Sequence, residues 1–166
     1  MRRVYYTLLM LLALGMVSAN AQIWTFSGTL TGDQNVPPND STATGTVSGT
    51  YNQRTRVLQI SLFGSGFDSD VLFANVHFGR IGENGPNRFF LTRTNNDPRV
   101  WESFDVRTLT PDEESEFLQG LWYVDIHTQR FPRGEIRTQI IPVPEPASLI
   151  ALGVGLAGLA LRKRRR

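Results

Sequence analysis

The chain has 166 residues, a net charge of +2, a pI near 9.4 and no cysteine. Its basic groups crowd the two ends: between Gln22 and Pro144 there are ten basic and fourteen acidic groups, so the body is mildly acidic. That distribution argues against nucleic acid as a partner, because the body has no basic stripe, and the missing cysteines rule out disulfides as a source of stability.

Arg2 and Arg3 precede an apolar stretch, Thr7–Val17, and Ala19-Asn20-Ala21 follows it. These are the charged, apolar and small-residue parts of a secretory signal peptide. Residues 1–21 are therefore expected to be removed, leaving Gln22 to open an exported chain. About 120 residues remain, enough to bury a core without cross-links.

From 22 to 141 the pattern is that of β-structure. Trp24, Phe26, Gly28 and Leu30 alternate with Thr25, Ser27 and Thr29, which gives a strand with one apolar face. Asp33–Asp40, with Pro37-Pro38, is a loop. Ser41–Tyr51, rich in Thr, Ser and Gly, suits an edge strand or a tight turn region. Asn52–Arg54 is a hairpin turn, and Leu58, Ile60 and Leu62 form its second arm. Val71–Phe78 is apolar on both faces and predicts a central strand. Arg88–Thr94, Trp101–Thr108, Leu121–Thr128 and Ile136–Ile141 are further β-prone runs. One helix interrupts them: Thr110-Pro111-Asp112-Glu113 supplies an N-cap, a proline at the first helical position and a capping-box acid, and Gly120 supplies the stop. Phe117 and Leu118 are its apolar contacts. Short strands at regular spacing point to a sandwich or barrel.

After Val143-Pro144-Glu145-Pro146 comes Ala147–Leu161, fifteen residues without a charge, and then Arg162, Lys163, Arg164, Arg165 and Arg166. A helix of that length spans only about 22 Å, short of a bilayer core of roughly 30 Å. Gly153, Gly155 and Gly158 weaken it as a soluble helix, and the basic end suits a cytoplasmic stop with snorkelling side chains. A transmembrane helix at 147–161 with a basic tail is expected.

Two family resemblances follow from these residues. The order Val143-Pro144-Glu145-Pro146, apolar helix, Arg-rich end closely resembles the PEP-CTERM sorting signal of Gram-negative bacteria. It implies processing by an exosortase and association with exopolysaccharide, biofilm matrix or the outer surface. The body resembles the CHRD (chordin-type) domain from about Trp24 to Ile141. The matching pieces are Phe26-Ser27-Gly28-Thr29-Leu30, Asn35-Val36-Pro37-Pro38, Ala74-Asn75-Val76-His77-Phe78-Gly79, Gly82-Glu83-Asn84-Gly85-Pro86, Tyr123-Val124-Asp125-Ile126-His127-Thr128 and Gly134-Glu135-Ile136-Arg137. This implies an all-β, immunoglobulin-like or Greek-key sandwich or barrel with no established enzymatic activity. The chain departs from the family pattern at Asn75, where His is usual, at Asp125, where Asn is usual, and at Thr138, where Gly is usual.

The chain has two histidines, His77 and His127. Strand alternation puts Asn75 and His77 on one face, and Tyr123, Asp125 and His127 on one face of another strand. Glu135 and Arg137 share a face in the same way. The plain expectation is a polar network of Asn75, His77, Asp125, His127, Glu135 and Arg137, with the Glu135/Arg137 pair hydrogen-bonded under a loop. No metal is expected, and His77 and His127, joined by Asp125 or Glu135, are the candidates if one binds. Gly79, Gly82 and Gly85 miss the phosphate-loop spacing. Asp68 and Asp70 lack the rest of a calcium loop. No cysteine nucleophile, nucleophile elbow or spaced triad is present. Trp24, Trp101, Trp122 and Tyr123 suit either a sugar-binding surface or the core.

The expected organisation is a signal peptide (1–21), a CHRD-like β domain (22–141) and a sorting signal (142–166). The expected function is that of an exported, non-enzymatic module without a cofactor. It would be an inner-membrane intermediate held by its C-terminal helix until an exosortase processes it, and would then sit at the outer surface or in the matrix. There it would bind protein or polysaccharide, or serve as a structural component. The alternative is a metal-dependent, superoxide-dismutase-like enzyme using His77 and His127, for which two imidazoles are few.

Overall fold

A computed structural model of the protein describes residues 22–145. The expected signal peptide (1–21), Pro146, the expected transmembrane helix and the basic tail Arg162–Arg166 lie outside the described residues. Among the described residues no helix is long and apolar enough to cross a membrane.

Among the described residues nine strands are ordered as β1 (Ile23–Leu30), β2 (Thr44–Asn52), β3 (Val57–Ser65), β4 (Val71–Phe78), β5 (Asn87–Phe90), β6 (Trp101–Thr108), β7 (Trp122–Thr128), β8 (Ile136–Ile140) and β9 (Val143–Pro144). They form two antiparallel sheets, β6-β3-β2-β1-β9 and β5-β4-β7-β8. The chain crosses from one sheet to the other after β3, β5, β6 and β8. The architecture is the expected all-β sandwich with one short helix, α1 (Pro111–Leu118). It is closed part of the way toward a barrel by single bridges from Thr31 to Arg137 and from Arg93 to Ser103.

The core follows from the period-two pattern. Phe26 and Leu30 of β1, Val47 and Tyr51 of β2, and Leu58, Ile60 and Leu62 of β3 face Ala74, Val76, Trp122, Val124, Ile126, Ile136 and Ile140 of the other sheet, all buried. Helix α1 plugs one end. Its Phe117 is fully buried, with ring centroids 5.7, 5.2 and 5.6 Å from Phe26, Tyr51 and Trp122. The capping box is formed as the sequence predicts: Glu113 N–H donates to Thr110 Oγ1, and Thr110 N–H donates to Glu113 Oε2. Gly120, at φ +68°, turns the chain out of the helix.

Three expectations are corrected. The Thr/Ser/Gly-rich segment is no edge: β2 lies between β1 and β3, pairing with β1 over Gly45–Asn52 and with β3 along its whole length. Its glycines permit this, since a Cβ at Gly49 would lie 2.1 Å from the Gln59 carbonyl oxygen and 2.4 Å from the Phe26 ring. The run Arg88–Thr94 keeps continuous strand pairing only as far as Phe90, with a single bridge from Arg93 beyond it. Pairing also continues past residue 141, because Val143 and Pro144 join the edge of β1 opposite Thr25 and Trp24.

Candidate functional site

Three places on the molecule carry chemistry, and the first is the junction of the two chain ends. β9 lies against the start of β1, and Glu145 N–H donates to the Ile23 carbonyl at 2.8 Å. Val143 and Pro144 of the sorting motif are exposed on this edge strand. Proline is tolerated there because an edge residue need not donate to a ladder. The expected mature start at Gln22 and the beginning of the sorting motif therefore lie side by side at this edge of the domain.

The second place is the face of β4 and β7 that points away from the core. β4 and β7 are neighbours, so the two predicted polar faces meet: Asn75 stands opposite Asp125, His77 opposite Tyr123, and Phe73 opposite His127. His77 Nε2 and His127 Nε2 both approach Asp125 Oδ1, at 3.3 and 3.1 Å. The ring Nδ1 atoms point the other way, His77 to the Gly85 carbonyl and His127 to the Pro132 carbonyl, each at 3.0 Å. A carbonyl only accepts, so both Nδ1 atoms carry hydrogen and donate. Each imidazole is also clamped by a ring. His77 stacks on Tyr123 (centroids 4.8 Å, planes 2° apart) and His127 on Phe73 (4.4 Å, 26°). The Arg137 guanidinium covers the other part of this stack, 3.5 Å from the Tyr123 centroid.

Although it is the outer face of its sheet, this surface is largely covered, with part of the His77 side chain left accessible. Every residue of β7 is buried, because the loops at 79–86 and 130–135 fold over it. Arg137 holds the first loop by donating to Asn84 Oδ1 (3.1 Å), the Arg80 carbonyl (3.3 Å) and the Glu83 carbonyl (2.8 Å). Gly134, at φ +115°, lets the second loop approach to where a Cβ would stand 3.4 Å from Asp125 Oδ2. Burial pushes the Asp125 carboxyl up, but the hydrogen bonds from His127 and His77 outweigh it and hold the carboxyl below its ordinary range. Burial pushes His127 down, and the Asp125 carboxylate more than reverses this, so His127 is raised.

Glu135 does not belong to this group. It precedes β8, and its carboxylate accepts from Thr128 Oγ1 and Ser41 Oγ at the core-facing end of the sandwich. The expected Glu135/Arg137 pair is thus two separate anchors. Phe73, which sequence reasoning passed over, was legible as the residue two before Asn75 on the same face. The carbonyls of Gly85 and Pro132 carry no sequence signal at all.

The third place is the outer face of the five-stranded sheet. Register aligns Thr29, Thr46, Phe63 and Glu102 in one row, Ser27, Ser48, Ser61 and Phe104 in the next, and Thr25, Thr50, Gln59 and Val106 in a third. Phe63, Phe104 and Val106 are about half exposed, and Glu102 is the single charged residue in these rows. Thr46, Ser48, Ser61, Phe63, Glu102 and Phe104 line a shallow depression of about 220 Å³. Of the aromatic residues weighed for a sugar-binding surface, Trp101, Trp122 and Tyr123 are buried, and Trp24 packs partly buried against the core beside β9.

A family model described as the CHRD domain matches residues 26–140. A second, described as the PEP-CTERM protein-sorting motif, matches residues 142–166. No curated protein and no solved structure matches the chain.

Proposed function

Since the chain belongs to the CHRD-domain family and carries the PEP-CTERM motif of exported proteins handled by an exosortase at the membrane, we propose that it is a non-enzymatic matrix or cell-surface module that binds neutral polysaccharide through the outer face of its five-stranded sheet. The observation that carries this reading is the composition of that face. Rows of Thr and Ser hydroxyls, able both to donate and to accept, run into the half-exposed rings of Phe63 and Phe104. The two residues stand diagonally on adjacent strands, their backbone positions about 7–8 Å apart. An almost uncharged sheet face of this kind matches the alternating hydroxyl edges and C–H faces of a neutral sugar chain. A phosphate- or uronate-rich polymer would call for cations, which the rows lack. A solvent-facing aromatic patch on an exported domain is also the usual mark of an interaction surface.

The reading as a metal-dependent enzyme has less support. Asp125 and His127 are 4 % and 7 % exposed, which leaves little room for a substrate beside them.

The test is affinity electrophoresis of the exported protein through gels containing the producing bacterium's own extracellular polysaccharide, or a neutral glucan. Wild-type protein is expected to be retarded, and the F63A/F104A double variant to migrate freely while unfolding at an unchanged temperature. No retardation of the wild type would overturn polysaccharide binding and leave a structural matrix role.

A further inference from the structure

We propose that His77 Nε2, His127 Nε2 and Asp125 Oδ1 hold one divalent transition-metal ion, with Zn²⁺ the best match, and that the Asn75 amide oxygen completes the set. Ligand atoms from these three residues lie within 4.8 Å of one another. Zinc bonds to nitrogen and oxygen of about 2.0–2.2 Å in a tetrahedral site require ligand-to-ligand edges of roughly 3.3 Å. The two imidazole-to-carboxylate distances, 3.1 and 3.3 Å, already have this length. Only the two imidazoles need to draw together, by about 1.5 Å.

The surroundings are those that metal-binding histidines need. Each ring donates its Nδ1–H to a backbone carbonyl, which fixes the tautomer and aims the Nε2 lone pair inward. Stacking on Tyr123 and Phe73 fixes the ring planes. Once the Nε2 protons that face Asp125 are displaced, two Nε2 lone pairs and a carboxylate oxygen converge on one point, where a cation takes their place.

Asn75 gives an independent sign. It is 2 % exposed, and its Oδ1 has no hydrogen-bond partner, whereas its Nδ2 lies 2.8 Å from His77 Nε2. The two amide atoms are alike in shape. Turning the amide places the orphaned oxygen beside His77 Nε2, as a fourth ligand would be. Asn87, which accepts from Asn75 Nδ2, is exposed and free to turn with it. His77 keeps 14 % of its side chain accessible and provides the way in. The four residues offer borderline nitrogen and hard oxygen donors and no thiolate, a set that favours Zn²⁺ over Cu⁺ or Ca²⁺.

The site lies on the sheet opposite the proposed sugar-binding face, so the two readings can fail separately. The experiment uses tag-free exported protein, stripped with chelator and titrated with ZnCl₂ by calorimetry while the histidine ring signals are followed by NMR. The chain has only two histidines, so those signals report on this cluster alone. One equivalent of zinc is expected to bind, both imidazole signals to shift, and the unfolding temperature to rise by about 5 °C or more at hundredfold excess over Kd. D125N is expected to weaken binding on the order of tenfold or more. No saturable binding, or binding that leaves both imidazole signals unmoved, would overturn the site and leave a proton-bridged network. The wild-type titration decides this even where D125N fails to fold.

Discussion

Replacing Arg137 asks how the cover over the histidine cluster is held. The side chain is 3 % exposed and donates three hydrogen bonds into the 80–84 loop while lying over Tyr123. R137M preserves much of the volume but leaves Asn84 Oδ1 and the Arg80 and Glu83 carbonyls without their donor. Charge-assisted bonds contribute about 1.5–3 kcal/mol each, and a desolvated cation over a ring about 2 kcal/mol. Against this stands the cost of burying the guanidinium, which draws its pKa downward despite the nearby Asp125 charge. The balance is a loss of about 3–5 kcal/mol. R137K keeps the charge but not the planar fork, and is expected to lose about 2–3 kcal/mol. Urea unfolding reads both, as a lower midpoint at an unchanged slope. A loss below about 1 kcal/mol for R137M would refute the idea that this one residue pins the loop. The same variant is expected to disturb the His77 ring signals, because the Gly85 carbonyl and Tyr123 that orient His77 depend on the loop and the stack.

Two further outcomes test other parts of the fold. The Glu113 carboxyl is held below its usual 4.5, burial being outweighed by the Thr110 N–H and by Arg107. A carboxyl depressed in this way stabilises the fold above its unfolded pKa and loses that contribution as pH falls through the folded value. Since glutamine also completes a capping box, E113Q is expected to cost only the charge part, the N-terminal carboxylate and its Arg107 pair, about 0.5–1 kcal/mol at pH 7, and the gap to close in acid; a gap that persists in acid contradicts the assignment. An exported body ending at Ile141 lacks β9 and the Glu145–Ile23 hydrogen bond, and is expected to unfold about 1–2 kcal/mol more easily than one ending at Glu145; equal thermal midpoints would show that β9 contributes nothing.

Much of this was legible in the chain because it depends on local pattern. The helix from Pro111 announces itself through Thr110, Glu113 and Gly120, whose roles are set by bonds a few residues long. The alternation at Leu58, Ile60 and Leu62 marks a buried strand face whatever its neighbours. What stayed hidden depends on contacts distant in sequence. Ser41–Tyr51 has an edge-like composition, and only the pairing with both β1 and β3 makes it interior. Its glycines accept Phe26 and the Gln59 backbone, a reason invisible in the segment itself. Asn75, His77, Asp125 and His127 could be placed on faces, but their convergence required β4 and β7 to be neighbours. Glu135 and Arg137 share a short motif, yet the motif straddles the start of β8. One side chain serves Ser41 and Thr128, while the other serves a loop more than fifty residues away. Val143-Pro144 reads as the start of the sorting motif, and its pairing with β1 is decided by the open edge waiting there.

The most direct measurement is residue-resolved NMR of the exported body during titration with a soluble neutral glucan. Binding through the outer face predicts saturable shifts confined to β2, β3 and β6, centred on Ser61, Phe63 and Phe104, with the signals of His77 and His127 unmoved. Shifts centred on the β4–β7 face, or none at all at millimolar glucan, would contradict it.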